Sequence, residues 1–207
     1  MAKGEAAQMI VKPSAESLAA SVVAASKKGP PPVLLWNPPF CGDIDIRIAR
    51  DGTWFYLGTP IGRAPLVKLF SSILKREGDA YFLVTPVEKV GIKVDDAPLL
   101  AVDFTATGTG RTQTLRFVTK TEDEVDADAL HPLTFRFSDT GEPTPYIHVR
   151  AGLNALIDRK SFYRLVELGC HEPQSRESLA GAAPGESWFG LWSCGQFFPI
   201  QRSTELT

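Results

Sequence analysis

Cysteine is scarce in this sequence, and its spacing excludes a disulfide framework. The 207 residues include three cysteines, Cys41, Cys170 and Cys194, and no CxxC pair. An odd number without framework spacing predicts three free thiols and a reducing compartment. No apolar run is long enough to span a bilayer, and no positively charged segment precedes an apolar signal core. We therefore expect a soluble, cytoplasmic protein without a membrane partner.

The sequence also lacks a surplus of positive charge. Its formal net charge is -2 at pH 7 and its pI is about 5.9, which excludes a basic surface over the whole protein for binding nucleic acid or acidic lipid. Local anion sites are compatible with this balance. Because 43% of the residues are hydrophobic, the chain can bury a core as one large domain or two small ones.

Motifs of metal and nucleophilic chemistry are missing as well. The sequence contains no GxxxxGK[ST] phosphate loop, no HExxH zinc motif and no GxSxG nucleophile elbow. Cys41 would form a catalytic dyad with His131 or His148 only if the fold brought them together, and Asp43 with Asp45 could act as an acid/base or metal pair. These residues leave a hydrolase open as one alternative. Nothing in the sequence identifies a cofactor.

What the sequence does contain is an approximate internal repeat. Ile44–Arg47 and Ile147–Arg150 share an alternating pattern that ends in arginine. Each is followed at a similar offset by a helix-like run and an aromatic strand, which are Pro65–Glu77 with Tyr81–Val84 and Asp158–Leu168 with Trp188–Trp192. A duplicated strand–helix–strand unit explains this pattern. The interface between the two copies is then the expected place for a pocket.

Local patterns predict an α+β, strand-rich fold built from two related units. Ser14 caps a predicted helix that runs to about Ser26, and a short strand is predicted at Val33–Trp36. A β-hairpin is expected with its turn at Asp51–Gly52, and a small-residue loop at 181–186 precedes the final strand pair. The predicted boundaries are a disordered start and N-terminal helix at 1–29, a first α/β unit at 30–94 and a second α/β unit at 95–207.

Two groups of residues are candidates for an anion site. Gly58–Arg63 leads into a predicted helix, whose N-terminus favours negative charge, and Arg63 can grip an oxyanion with two hydrogen bonds. Arg47 and Arg150 hold equivalent places in the repeat, so pseudo-twofold packing of the copies would let their guanidinium groups converge. The alternatives are a glycine-kinked connection with Arg63 in solvent, and ordinary strand alternation with Arg47 and Arg150 facing water.

Six strings of the sequence are typical of one protein family. They are PPVLLWNPPFCGDID at 31–45, GTPIGR at 58–63, LVTPVEKVGI at 83–92, HPL at 131–133, PYIHVRAGL at 145–153 and FFPI at 197–200. Together they resemble the bacterial domain-of-unknown-function family 1285, over about residues 30 to 200. The resemblance implies a duplicated α/β core and a second half similar to pleckstrin-homology folds. It also implies a ligand site between the halves, for a nucleotide-type molecule in signalling.

We therefore predict a binding module whose two related units clasp a small anionic, nucleotide-like ligand. The predicted ligand contacts are Asn37, Arg47, Thr59, Gly62, Arg63 and Arg150. The arginines would neutralise phosphate charge, Gly62 and Thr59 would supply backbone and hydroxyl donors, and Asn37 would offer a polar edge. A protein-interaction adaptor that uses the second half without a small ligand is the main alternative, and a hydrolase is the other.

Overall fold

The computed structural model describes residues 14–25, 31–174 and 186–205, which form three α-helices and three β-sheets. The predicted disordered start, the end of the predicted N-terminal helix and most of the predicted loop at 181–186 lie outside these residues. No helix in the described part is long and apolar enough to cross a membrane.

The N-terminal helix α1 spans Ala15–Ala25, as the capping signal predicts. The Ser14 hydroxyl accepts the Ser17 backbone N–H at 3.1 Å, and the Ser17 hydroxyl accepts the Ser14 backbone N–H at 3.1 Å. These reciprocal bonds satisfy N–H groups that the first turn of a helix leaves unpaired. Leu18 and Val22 are fully buried, so the predicted apolar stripe packs into the core.

The first unit is a six-stranded sheet with helix α2 inserted after its third strand. Its elements are β1 Phe40–Ile48, β2 Trp54–Tyr56, β3 Thr59–Pro60, α2 Ala64–Ser72, β4 Leu74–Glu77, β5 Ala80–Val84 and β6 Lys89–Val94. The strand order is β3-β2-β1-β6-β5-β4, in which β1 and β6 are parallel and the other neighbours antiparallel. The predicted hairpin is confirmed, because Ile44, Ile46 and Ile48 are buried and β2 returns antiparallel to β1.

The second unit repeats this strand order in another six-stranded sheet. Its elements are β7 Leu99–Thr107, β8 Thr114–Thr119, β9 Glu124–Asp126, β10 Leu133–Phe137, β11 Pro143–Arg150, β12 Leu153–Ile157 and α3 Arg159–Glu167. The order is β10-β11-β12-β7-β8-β9, with β7 parallel to β12. Read from the edge strand β9, this sheet has the strand order third, second, first, sixth, fifth, fourth. The first sheet has the same order when it is read from its edge strand β3. A three-stranded sheet of β13 Cys170–Gln174, β14 Glu186–Ser193 and β15 Gln196–Arg202 completes the described fold.

The internal repeat read from the sequence does not mark equivalent strands. Ile44–Arg47 lies in β1, the first strand of its sheet, whereas Ile147–Arg150 lies in β11, the fifth strand of the other sheet. The helices differ too, because α2 follows the third strand of its unit and α3 follows the sixth. An alternating apolar pattern is shared by any two strands with one buried face, which explains the false match.

Three local predictions need correction. Val33–Leu35 forms a 3₁₀ turn instead of a strand, held by the Leu35 N–H donating to the Pro32 carbonyl at 2.9 Å. Helix α2 ends at Ser72 instead of Glu77, because Leu74–Glu77 pairs with β5 as an edge strand. The acidic residues between positions 122 and 128 predict a short connection, but they include β9, in which Val125 is buried.

One hydrophobic core joins the two units. Ile46, Ile48 and Phe70 from the first unit and Phe117 and Leu165 from the second are all fully buried in the same cluster. Since each sheet turns its apolar face toward this core, the units pack on each other over side chains from both. The polar ends of the strands and the turns between them are left at the rim, where the candidate site lies.

Candidate ligand-binding site between the two units

Four of the predicted contact residues lie on exposed surface of the first unit. Asn37 is in the turn before β1, Thr59 is on the edge strand β3, and Gly62 and Arg63 lead into α2. Arg63 occupies the N-cap position of α2 but makes no capping hydrogen bond. The structure thus places the predicted glycine loop at a helix N-terminus, with the Arg63 side chain in solvent.

The predicted convergence of the three arginines is wrong. Arg47 lies on the face of β1 opposite the buried isoleucines, where it pairs with Asp95 at 2.6 Å. Arg150 pairs with Asp123 and donates to the Ser71 carbonyl at the last turn of α2. Arg63 is at the other end of that helix, about 12 Å from Ser71 along the axis. Strand alternation and helix length therefore keep the three guanidinium groups apart.

A different cleft lies on the second unit, where Arg50 of the first unit reaches it. Its volume is about 520 Å³, within the range typical of small-ligand sites. Ten of its eleven lining residues belong to the second unit, in the turn before β11, in β11 and β12 and at the start of α3, and Arg50 beside the β1–β2 turn reaches the cleft from the first unit. The lining residues are Arg50, Glu142, Pro143, Thr144, Pro145, Leu156, Ile157, Asp158, Arg159, Phe162 and Tyr163.

The N-terminus of α3 forms one end of this cleft. Asp158 is the N-cap, and its carboxylate accepts the Ser161 backbone N–H at 2.7 Å. This cap fixes where the helix begins and so fixes Arg159, the first helical residue. Arg159 Nε donates to the Tyr163 hydroxyl at 2.8 Å, as expected for residues four apart on one helix face.

Arg50 reaches the cleft from the first unit and is held by a carboxylate of the connection between the units. Its Nε lies 3.1 Å from Asp96 Oδ2, while the Tyr146 hydroxyl donates to Asp96 Oδ1 at 2.7 Å. Burial, together with the hydrogen bond to Asp96, raises the pKa of Tyr146 to about 12. Tyr146 therefore stays a hydrogen-bond donor at neutral pH, and Asp96 positions Arg50 at the cleft.

The two cleft arginines keep their terminal nitrogens free. Arg50 and Arg159 are each fixed through Nε, and within the described ranges no hydrogen bond occupies their Nη atoms. By contrast, both Nη atoms of Arg150 and Arg164 are engaged with protein oxygens. Because a pair of terminal N–H groups binds a phosphate or carboxylate with two hydrogen bonds, the two cleft arginines are available for an anion.

Carboxylates and aromatic rings complete the cleft. Glu142 and Asp158 lie in the same wall as the arginines, so the lining is formally balanced in charge. The hydrogen bond with Tyr163 raises the pKa of Arg159, and the charge of Glu142 acts in the same direction. Phe162 and Tyr163 add flat apolar surface next to these charges. This arrangement suits a ligand that combines an anionic group with a planar ring.

A second cavity, of about 280 Å³, lies beside the 3₁₀ turn. Its lining residues are Pro31, Pro32, Val33, Leu34, Leu35, Ser72, Leu74, Arg150 and Ala151. Leu34 and Leu35 are 67% and 83% exposed at its rim. Because the terminal nitrogens of Arg150 are already engaged, this cavity is an apolar groove and offers no free cation to an anion.

The thiol and the two imidazoles considered for a hydrolase have other partners. The Cys41 thiol donates to the Pro39 carbonyl at 3.4 Å, while His131 and His148 stack on each other at 6.0 Å in the second unit. Both ring nitrogens of His148 are engaged, by the Leu130 carbonyl and the Gly152 N–H. Among the residues that the structure covers, no three His, Cys, Asp or Glu side chains gather to hold a metal, and all three cysteines are free.

Comparison with known proteins gives the family. The profile of the N-terminal domain of DUF1285, a domain of unknown function, matches residues 31–97, and the profile of its C-terminal domain matches residues 98–200. The chain belongs to the DUF1285 family. The resemblance read from the sequence is thereby confirmed. A search of curated proteins found no match.

Two solved DUF1285 structures are similar to this chain. The crystal structure of a family protein from Silicibacter pomeroyi DSS-3 is 58% identical, with a TM-score of 0.78, and covers 91% of this chain and 97% of that chain. One from Shewanella baltica OS155 is 34% identical, with a TM-score of 0.48, over 59% of this chain and 90% of that chain. The predicted α+β architecture is confirmed, and the six strands followed by α3 fit the pleckstrin-like half expected of the family.

Arg50 and Arg159, which line the cleft, are not among the contact residues predicted from the sequence. Arg50 stands next to the Asp51–Gly52 turn, and Arg159 lies at the start of the helix-like run Asp158–Leu168, so both adjoin features that the sequence does reveal. Their meeting is a tertiary effect. Only the docking of the β1–β2 turn near the start of α3 brings the two arginines to one cavity, and no local pattern encodes that contact.

Proposed function

We propose that this DUF1285 protein is a binding module for a small anionic, nucleotide-like ligand, held in the cleft that residues of both units line. The observation that carries the proposal is the pair Arg50 and Arg159, one from each unit, which line the same cavity and whose terminal nitrogens have no hydrogen bond among the described residues. A ligand bridging these two arginines would tie the units together. This is also the simplest basis for a signalling role, because a ligand that contacts both units can shift the equilibrium between their arrangements.

Each part of the cleft has a distinct task in this proposal. Arg50 and Arg159 bind the anionic group, and the N-terminus of α3 adds a favourable dipole. Phe162 and Tyr163 pack against the planar part of the ligand, and the Thr144 hydroxyl supplies a donor or acceptor. Glu142 repels an anion placed away from the arginines, which favours one orientation.

A protein-interaction adaptor is the second candidate function. The observation that favours it is the apolar groove beside the 3₁₀ turn, with Leu34 and Leu35 exposed at its rim. Large exposed side chains around a groove are typical of protein-binding surfaces. This function would leave the arginine cleft without a role, so the same experiment distinguishes the two.

The test is the binding of inorganic phosphate, measured by thermal shift and by titration calorimetry at low and high salt. Phosphate should stabilise the protein, by about 2.7 kcal/mol at a hundredfold excess over the dissociation constant, and the effect should weaken with salt. Arg159→Gln should remove most of this response. The matched control is Arg63→Gln, which removes the same charge from an exposed site outside the cleft.

Two results would contradict the proposal. One is the absence of any phosphate response in the unaltered protein. The other is an equal response in Arg159→Gln and Arg63→Gln, which would show that only overall charge matters. In either case the adaptor becomes the better account.

The proposal also has an architectural side. We infer that the common strand order of the two sheets reflects duplication of a six-stranded unit. In that case β1 corresponds to β7 and not to β11, and the two first strands each pair in parallel with the last strand of their own unit. The cleft would then lie where two copies of one unit have diverged, with the arginines arising separately in each.

A further inference from the structure

Arg136 lies beside the cleft, and its guanidinium group makes no hydrogen bond or ion pair among the described residues. Its central carbon is 4.7 Å from the centroid of the Tyr146 ring. The side chain is exposed on β10, and in the described part of the chain it has no carboxylate or hydrogen-bond partner. Stacking on the ring restrains the position of the group while all of its N–H donors stay available.

Strand register places Arg136 at the cleft wall. Arg136 on β10 is directly opposite Thr144 on β11, and Thr144 lines the cleft. Side chains directly opposite on neighbouring strands have their Cβ atoms about 5 Å apart. Arg136 therefore extends the wall outward, on the side away from α3.

Tyr146 connects Arg136 to the arginine of the first unit. Its hydroxyl bonds Asp96, which holds Arg50. The positive charges of Arg136 and Arg50 both favour ionisation of the Tyr146 hydroxyl, against the larger opposing effects of burial and of Asp96 that raise its pKa. Arg136 thus contacts the ring of Tyr146, and Arg50 is linked to its hydroxyl through Asp96.

Three arginines therefore lie in or beside the cleft: Arg50 and Arg159 in its lining, and Arg136 on the strand next to Thr144. Each is fixed through its ring-stacked face or through Nε, and each leaves its terminal nitrogens free. Like charges brought together cost stability when no anion is present. An anion that contacts all three arginines relieves this repulsion more fully than an anion that contacts one of them.

We propose, on the basis of the function proposed above, that Arg136 is a second anion-binding point and that the ligand carries two separated anionic groups. One group binds between Arg50 and Arg159, and the other binds at Arg136. The chemical class is that of an elongated polyanion, such as a chain of phosphates, in preference to a single phosphate.

Titration calorimetry with inorganic phosphate and inorganic tripolyphosphate tests this inference, without divalent cations. The unaltered protein should bind tripolyphosphate at least tenfold more tightly than phosphate. Arg136→Gln should weaken tripolyphosphate binding at least fivefold and leave phosphate binding unchanged. Arg63→Gln, which changes the net charge equally, should preserve the preference for tripolyphosphate.

The outcomes separate this inference from the function on which it rests. If phosphate binds and depends on Arg159, but Arg136→Gln leaves the preference for tripolyphosphate intact, the second binding point is wrong and the proposed function stands. An equal loss of affinity for phosphate and for tripolyphosphate in Arg136→Gln also overturns the second binding point. Arg136 would then belong to the same site as Arg50 and Arg159. If neither compound binds, both proposals are wrong.

Discussion

Two buried serines should respond in opposite ways when their hydroxyl is removed. Ser193 on β14 accepts the Leu115 backbone N–H at 2.9 Å, in a contact that joins the third sheet to the second unit. Ser161 in α3 is equally buried, but its hydroxyl has no hydrogen-bond partner among the described residues. The two substitutions to alanine delete the same atom. The difference between their effects on the free energy of unfolding therefore measures the contribution of the hydrogen bond that Ser193 makes.

The magnitudes follow from what each change leaves behind. Ser193→Ala leaves the Leu115 N–H buried and unpaired, which costs about 2 kcal/mol of the free energy of unfolding. Ser161→Ala removes an unsatisfied hydroxyl and gains helix propensity, so the free energy of unfolding should stay level or rise by up to about 1 kcal/mol.

Urea unfolding and thermal melting measure these differences. For a chain of this length, Ser193→Ala should lower the melting temperature by about 4–8 °C, with the dependence of stability on urea unchanged. Ser161→Ala should not lower it. Equal losses in the two variants would refute the reasoning, because the cost would then come from the cavity and not from the lost hydrogen bond.

Two further predictions concern the β1–β2 turn and the Tyr146 hydroxyl. Gly52→Ala should destabilise the protein more than Gly58→Ala: both glycines have positive φ, at an expected cost of about 1 kcal/mol each, but an added Cβ at Gly52 would meet Leu100 Cβ at 3.0 Å whereas Gly58 has open space. Equal losses in chemical unfolding would argue against the turn packing on β7. Because the pKa of Tyr146 is raised to about 12, its contribution to stability is complete below the unfolded value near 10 and is lost as the pH rises through 12. Between pH 10 and pH 12, the free energy of unfolding should fall more steeply with pH in the unaltered protein than in Tyr146→Phe.

Local structure could be predicted from the sequence where local chemistry decides it. The serine cap of α1, the alternating isoleucines of β1 and the helix-like run that begins at Asp158 each depend on a few neighbouring residues, and each is found in the structure. The turn that follows three prolines was less accessible. There, Leu34 and Leu35 stay exposed, so apolar composition suggested a strand where none could pair.

Topology and site could not be predicted, because both depend on contacts between distant parts of the chain. The parallel pairing of β1 with β6 leaves no short-range signal, since hairpins alone have turn residues that reveal them. Arg47 and Arg150 matched in sequence, yet alternation and sheet position separated them. Arg50 and Arg159 share no sequence pattern, and packing placed both at the cleft.

The position of a bound oxyanion in a crystal decides whether the cleft is an anion site. A crystal of the protein grown with tungstate, an electron-dense analogue of phosphate, would show that position by anomalous scattering. The account predicts an anion in the cleft, within about 3 Å of terminal nitrogens of both Arg50 and Arg159. An anion bound instead at Gly62 and Arg63, at the N-terminus of α2, would contradict it, and so would a cleft that stays free of the anion.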